Sequence, residues 1–110
     1  MKIPNHENTV IDIVKIRDYC LNPEHSVGKH KAHVFKSVLN LTAEDAPALR
    51  DILLKGVSKA EANIGEQDEY GQRYTVDILV SVGDKQAQVR SGWIIRADED
   101  FPRLTTCFVL

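Results

Sequence analysis

The chain has 110 residues, 43% hydrophobic and 27% charged, with four prolines, six glycines and a formal net charge of -2. That supports one hydrophobic core and one domain over residues 1–110, and excludes disordered, collagen-like and low-complexity classes. No apolar run approaches the roughly 18 to 20 residues of a membrane span, and Met1-Lys2-Ile3-Pro4 lacks a signal peptide's apolar stretch, so a cytoplasmic chain without a membrane partner is expected.

In chain order, residues 1–8 read as a flexible arm. Thr9 to Ile13 suits a short strand, and Asp12 suits the cap of a short helix running to about Tyr19 with Ile13, Ile16 and Cys20 inward. Asn22-Pro23-Glu24-His25 reads as a turn, because proline stops a helix and drives its predecessor out of the α region. Ser26 or Gly28 then opens a helix to about Asn40, with Val34, Phe35, Val38 and Leu39 as its apolar stripe. Thr42 and Asp45 have capping-box spacing before a second amphipathic helix carrying Ala46, Leu49, Leu53, Val57 and Ala60, which the polar run Gly65 to Glu69 ends.

From Tyr70 the apolar period shortens to 2, the mark of strands. Gly83-Asp84 is a hairpin signal, and as the loop it sets Val80 opposite Ala87, Ile78 opposite Val89, Val76 opposite Ser91 and Tyr74 opposite Trp93. It also sets Asp77 against Arg90, a favourable cross-strand pair. A last strand from Arg103 to Leu110 is expected to turn Leu104, Thr106, Phe108 and Leu110 to the core. The fold class is therefore α+β, with N-terminal helices packed on one face of a C-terminal antiparallel meander of three to four strands. Arg73, Thr75, Asp77, Arg90, Arg103 and Thr105 fall on the other face.

For chemistry, Gly28-Lys29-His30-Lys31 crowds cations into a helix start that is already positive, a placement that an anionic ligand would favour. His30 exchanges protons near neutral pH, while Lys31 extends the apolar stripe with a cation. Ser91 and Thr106 are hydroxyls on the expected core face and need partners there; with His30, Lys31 and Trp93 they would form a wet end of the core. Arg73 and Arg90 are candidate phosphate contacts. His25, His30 and His33 lack metal-ligand spacing, and no GxGxxG, P-loop or GxSxG occurs, so neither metal nor cofactor is expected. Cys20 and Cys107 stand far apart in apolar surroundings and read as buried thiols.

The segments Asn22-Pro23-Glu24-His25, Gly28-Lys29-His30-Lys31-Ala32, Tyr70-Gly71-Gln72-Arg73-Tyr74, Val89-Arg90-Ser91-Gly92-Trp93 and Pro102-Arg103-Leu104-Thr105-Thr106 together resemble an uncharacterised family of small bacterial toxin-like domains. The order of elements also resembles the barnase, EndoU, colicin and RelE group of ribonucleases. The chain departs from that group in lacking a basic overall charge and its catalytic histidine pairs. The resemblance implies a toxin-like, metal-independent ribonuclease of a toxin–antitoxin module. His30 would be the acid or base, Lys31 the stabiliser of phosphorane charge, and Ser91 and Thr106 the phosphate-orienting hydroxyls. Lys29, Arg73, Arg90 and Trp93 would bind RNA, and a small antitoxin-like partner would be encoded alongside. The alternative is a non-catalytic protein-binding module, the antitoxin or immunity side of such a pair.

Overall fold

The computed structural model describes residues 1–110, and its helical layer begins earlier than the sequence suggests. Residues 1–8, expected as a flexible arm, lie against the domain: Ile3 is buried, the Met1 carbonyl accepts the Ala62 N–H at 2.7 Å, and His6–Asn8 make one 3-10 turn. The strand expected over Thr9 to Ile13 reduces to a single parallel bridge from Val10 to Arg103. The Asp12 side chain accepts the Val14 N–H at 3.0 Å and opens helix α1, Ile13–Lys15. This helix widens at once into a π-turn, Ile16–Cys20, which buries Ile16 and Cys20 and leaves Tyr19 half-buried at the rim. Such wide turns are rare and frequently lie at functional sites.

Helix α2 spans Lys29–Leu39 and ends where Asn40 enters the left-handed region at φ 55°. Its buried row is Ala32, Phe35 and Leu39, whereas Val34 and Val38, expected inward, are 41% and 38% exposed. The row at i, i+3 and i+7 won over its neighbour, turning the valines to the flank and bringing Lys31 towards the sheet. Thr42 and Asp45 form the expected capping box, with the Thr42 N–H donating to Asp45 at 2.8 Å. Helix α3, Ala46–Val57, then buries Ala46, Leu49, Leu53 and Val57.

The sheet is an antiparallel meander in the order β1 (Ala62–Asp68), β2 (Gly71–Val82), β3 (Lys85–Arg96) and β4 (Pro102–Val109). The acidic run read as the end of a helix is in fact β1. As an edge strand it exposes every residue after Ala62, so it shows no apolar alternation. Its hairpin turns at Glu69-Tyr70, where Asp68 accepts the N–H groups of Tyr70 and Gly71 and Gly71 takes φ 147°. Strands β2 and β3 pair in the expected register, including Tyr74 with Trp93 and Asp77 with Arg90.

Strand β4 departs from expectation. Gly92 pairs with Thr106 and Trp93 with Leu104, so Thr105 is the extra residue of a bulge. Alternation restarts after it. Cys107 enters the core opposite Ser91, while Thr106 and Phe108, expected inward, fall opposite Gly92 and Arg90 on the edge strand, half-buried. The side chains of Thr105 and Thr106 both crowd the space a Cβ on Gly92 would occupy, at 3.0 and 3.3 Å. The core lies between the helices and the sheet face carrying Val76, Val80, Val89 and Trp93.

Candidate functional site

Two corrected elements, the π-turn and the bulge, meet at Lys31. The Lys31 Nζ donates to Tyr19 Oη at 2.8 Å and to Thr106 Oγ1 at 3.3 Å, and it lies 5.0 Å from the Tyr19 ring centre and 5.5 Å from that of Phe108. No carboxylate pairs with it. An ammonium can only donate, so both hydroxyl oxygens accept here; the Tyr19 proton stays free, while the Thr106 hydroxyl also contacts the Cys20 thiol. Phenol and ammonium thus offer converging O–H and N–H donors, with one positive charge and no carboxylate among them. The Tyr19 hydroxyl end and the nearby Phe108 ring flank the cation.

Tyr19 is itself positioned by the turn before α2. Asn22 Oδ1 accepts the Glu24 N–H, and His25 Nδ1 accepts the N–H groups of both Val27 and Gly28 at 3.0 Å. The His25 carbonyl accepts the Lys29 N–H at 3.0 Å. With Nδ1 accepting twice, the proton of the neutral ring is on Nε2. The ring stands edge-on to Tyr19, centroids 4.9 Å apart. Gly28 permits the close approach, since a Cβ there would lie 2.3 Å from the Tyr19 carbonyl oxygen.

Hollows open on both sides of this cluster. One, of about 580 Å³, is bounded by Tyr19, His25, Val14, Val27 and Thr105, with Asp12, Lys15 and Asp18 at its rim. The other, of about 220 Å³, is lined by His30, Lys31, Val34, Phe108 and Val109. Lys31 therefore separates an aromatic depression from one that carries an exposed histidine.

Of the residues expected from sequence, Lys31, His30 and Thr106 come together and the others do not. Ser91 is fully buried, donating to the Val76 carbonyl at 2.6 Å and accepting from Trp93 Nε1 at 2.8 Å, so both residues brace the core and reach no substrate. Lys29 points from the exposed side of α2, and of the N–H groups at the helix start His25 takes those of Val27, Gly28 and Lys29. Arg90 makes a bidentate pair with Asp77 at 2.8 and 2.9 Å, and Arg73 contacts Asp68 at 3.3 Å, so the arginines of the outer face are neutralised. The Arg90 guanidinium holds the Asp77 carboxyl below the usual range; Asp68 is held low first by the Tyr70 N–H and then by Arg73. The sequence reading missed Tyr19, His25 and Thr105. The histidine three residues before Gly28 was the one available signal, since a turn histidine there can cap the next helix.

Beneath the cluster, Cys20 and Cys107 lie against one another in the core, both unbridged. Contact with Cys20, then burial, pushes the Cys107 thiol well up, so it stays protonated. No three His, Cys, Asp or Glu side chains converge as metal ligands, and no helix is long and apolar enough to cross a membrane.

No curated protein matches the chain. A family model described as a domain of unknown function, DUF6883, matches residues 2–110, and the chain belongs to that family.

Proposed function

We propose that this domain is a toxin-like endoribonuclease that cleaves RNA without a metal ion. The observation that carries the reading is the Lys31 ammonium, unpaired with any carboxylate and flanked by two hydroxyls, of which the Tyr19 phenol keeps its proton available. That donor set suits the charge of a pentavalent phosphorane. The order of helices followed by a four-stranded meander agrees with the barnase, EndoU, colicin and RelE group, a likeness of fold that does not fix function. In the proposed step His30 takes the proton of a ribose 2′-hydroxyl as that oxygen attacks the adjacent phosphorus. The bond to the 5′-oxygen breaks, and Tyr19 protonates the leaving oxygen while Lys31 steadies the phenolate. The products are a 2′,3′-cyclic phosphate and a 5′-hydroxyl. Thr106 orients the phosphate, and a small antitoxin-like protein is the expected partner.

The test is expression in a bacterial host together with purified protein and RNA in excess chelator. Growth arrest and cyclic-phosphate ends are expected. Lys31→Ala should lower the cleavage rate by about 10²–10³-fold, as removal of a charge-stabilising donor does elsewhere. A wild type that leaves growth and RNA intact would sink the reading, and the non-catalytic protein-binding module would replace it.

A further inference from the structure

We infer that the larger hollow beside Tyr19 is a subsite for one unpaired base of single-stranded RNA, an inference that rests on the reading of Lys31 as the phosphate site. At about 580 Å³ it falls within the ~300–1,000 Å³ usual for small-molecule sites. Its wall joins the Lys31 cluster twice, through Tyr19 and through Thr105, the bulged neighbour of Thr106. A nucleotide whose phosphate meets Lys31 therefore has its base within reach of the hollow.

The charges about the hollow balance. Asp18 is paired with Arg17 and Asp12 stands opposite Lys15, so no surplus of positive charge draws a second backbone phosphate there, and a neutral ring is accepted. Apolar surface supplies the contact. Val14 and Val27 are 46% and 66% exposed beside the Tyr19–His25 pair, an arrangement that leaves aliphatic and aromatic surface in water until a flat ring covers it. The polar groups add a preference. Both Asp18 oxygens are held by Arg17, whereas Asp12 uses one oxygen on the Val14 N–H and leaves the other free to accept. A free carboxylate oxygen favours a base with an exocyclic amine, such as cytosine, over uracil.

Titrations of the wild type with inorganic phosphate, ribose 5-phosphate, cytidine 5′-monophosphate and uridine 5′-monophosphate, followed by amide NMR shifts, test the assignment. Cytidine monophosphate should bind about tenfold more tightly than ribose phosphate, with shifts at Val14, Val27 and Thr105. Val27→Ser, an uncharged change at an exposed position, should reduce that advantage and leave phosphate binding unchanged. Asp12→Asn, which keeps the helix cap, should remove the preference for cytidine over uridine. If phosphate binds through Lys31 but the nucleotide gains nothing over ribose phosphate, the base subsite is wrong and the phosphate site stands. If phosphate does not bind, both fail.

Discussion

Gly28 shows how closely one residue controls the cluster. A methyl group at this position meets the Tyr19 carbonyl oxygen at 2.3 Å and the Tyr19 Cδ1 at 2.9 Å, and backbone cannot swing aside as a flexible side chain does. Gly28→Ala should therefore cost about 1–3 kcal/mol of stability, measured by urea unfolding, and weaken phosphate binding by displacing the phenol. An unchanged midpoint would show that the π-turn yields freely. The cations from Lys29 to Lys31 stood out in sequence, and Lys31, the one that joins the cluster, was among those named. Of its partners, Thr106 was named and Tyr19 was not. Tyr19 belongs to a widened turn and Thr106 to a strand whose phase slips by one, and neither irregularity leaves a periodic trace in the chain.

Among the elements, the central hairpin was the easiest to read, since Gly83-Asp84 and two alternating runs fix one register. Strand β1 was hidden because an edge strand needs little apolar content, and the phase of β4 was hidden because a bulge inverts alternation at a single residue. The Asp77–Arg90 pair across β2 and β3 gives a dependence on pH. Hydrogen bonds from Arg90 hold the folded Asp77 carboxyl below its unfolded range. Its stabilisation is present above the unfolded aspartate range and is lost as pH falls through the lower folded value. The side chains are 33% and 42% exposed, so water screens the pair and the effect is small. Asp77→Asn should be slightly less stable at neutral pH and lose less than the wild type on acidification, read as melting temperature against pH. Parallel curves for the two proteins would show that the pair adds nothing.

For the whole molecule, weak overall charge limits how RNA is held. The net charge is -2, and Arg73, Arg90 and Arg103 are each tied to a carboxylate. Affinity for single-stranded RNA then depends on a local contact with about one or two phosphates. Its logarithm should fall with the logarithm of salt concentration at a slope of about -0.7 to -1.4. A slope several times steeper would mean that a broad basic surface engages the strand, contrary to the pairing of the arginines. The cluster also has a bearing on the order in which the chain is made. Tyr19 and Lys31 are synthesised before Thr106, which lies in the fourth strand and reaches Lys31 only once β4 has paired with β3. A chain in which β4 has not yet paired thus holds an incomplete donor set, and on the reading proposed above it becomes able to cut RNA only after the sheet closes.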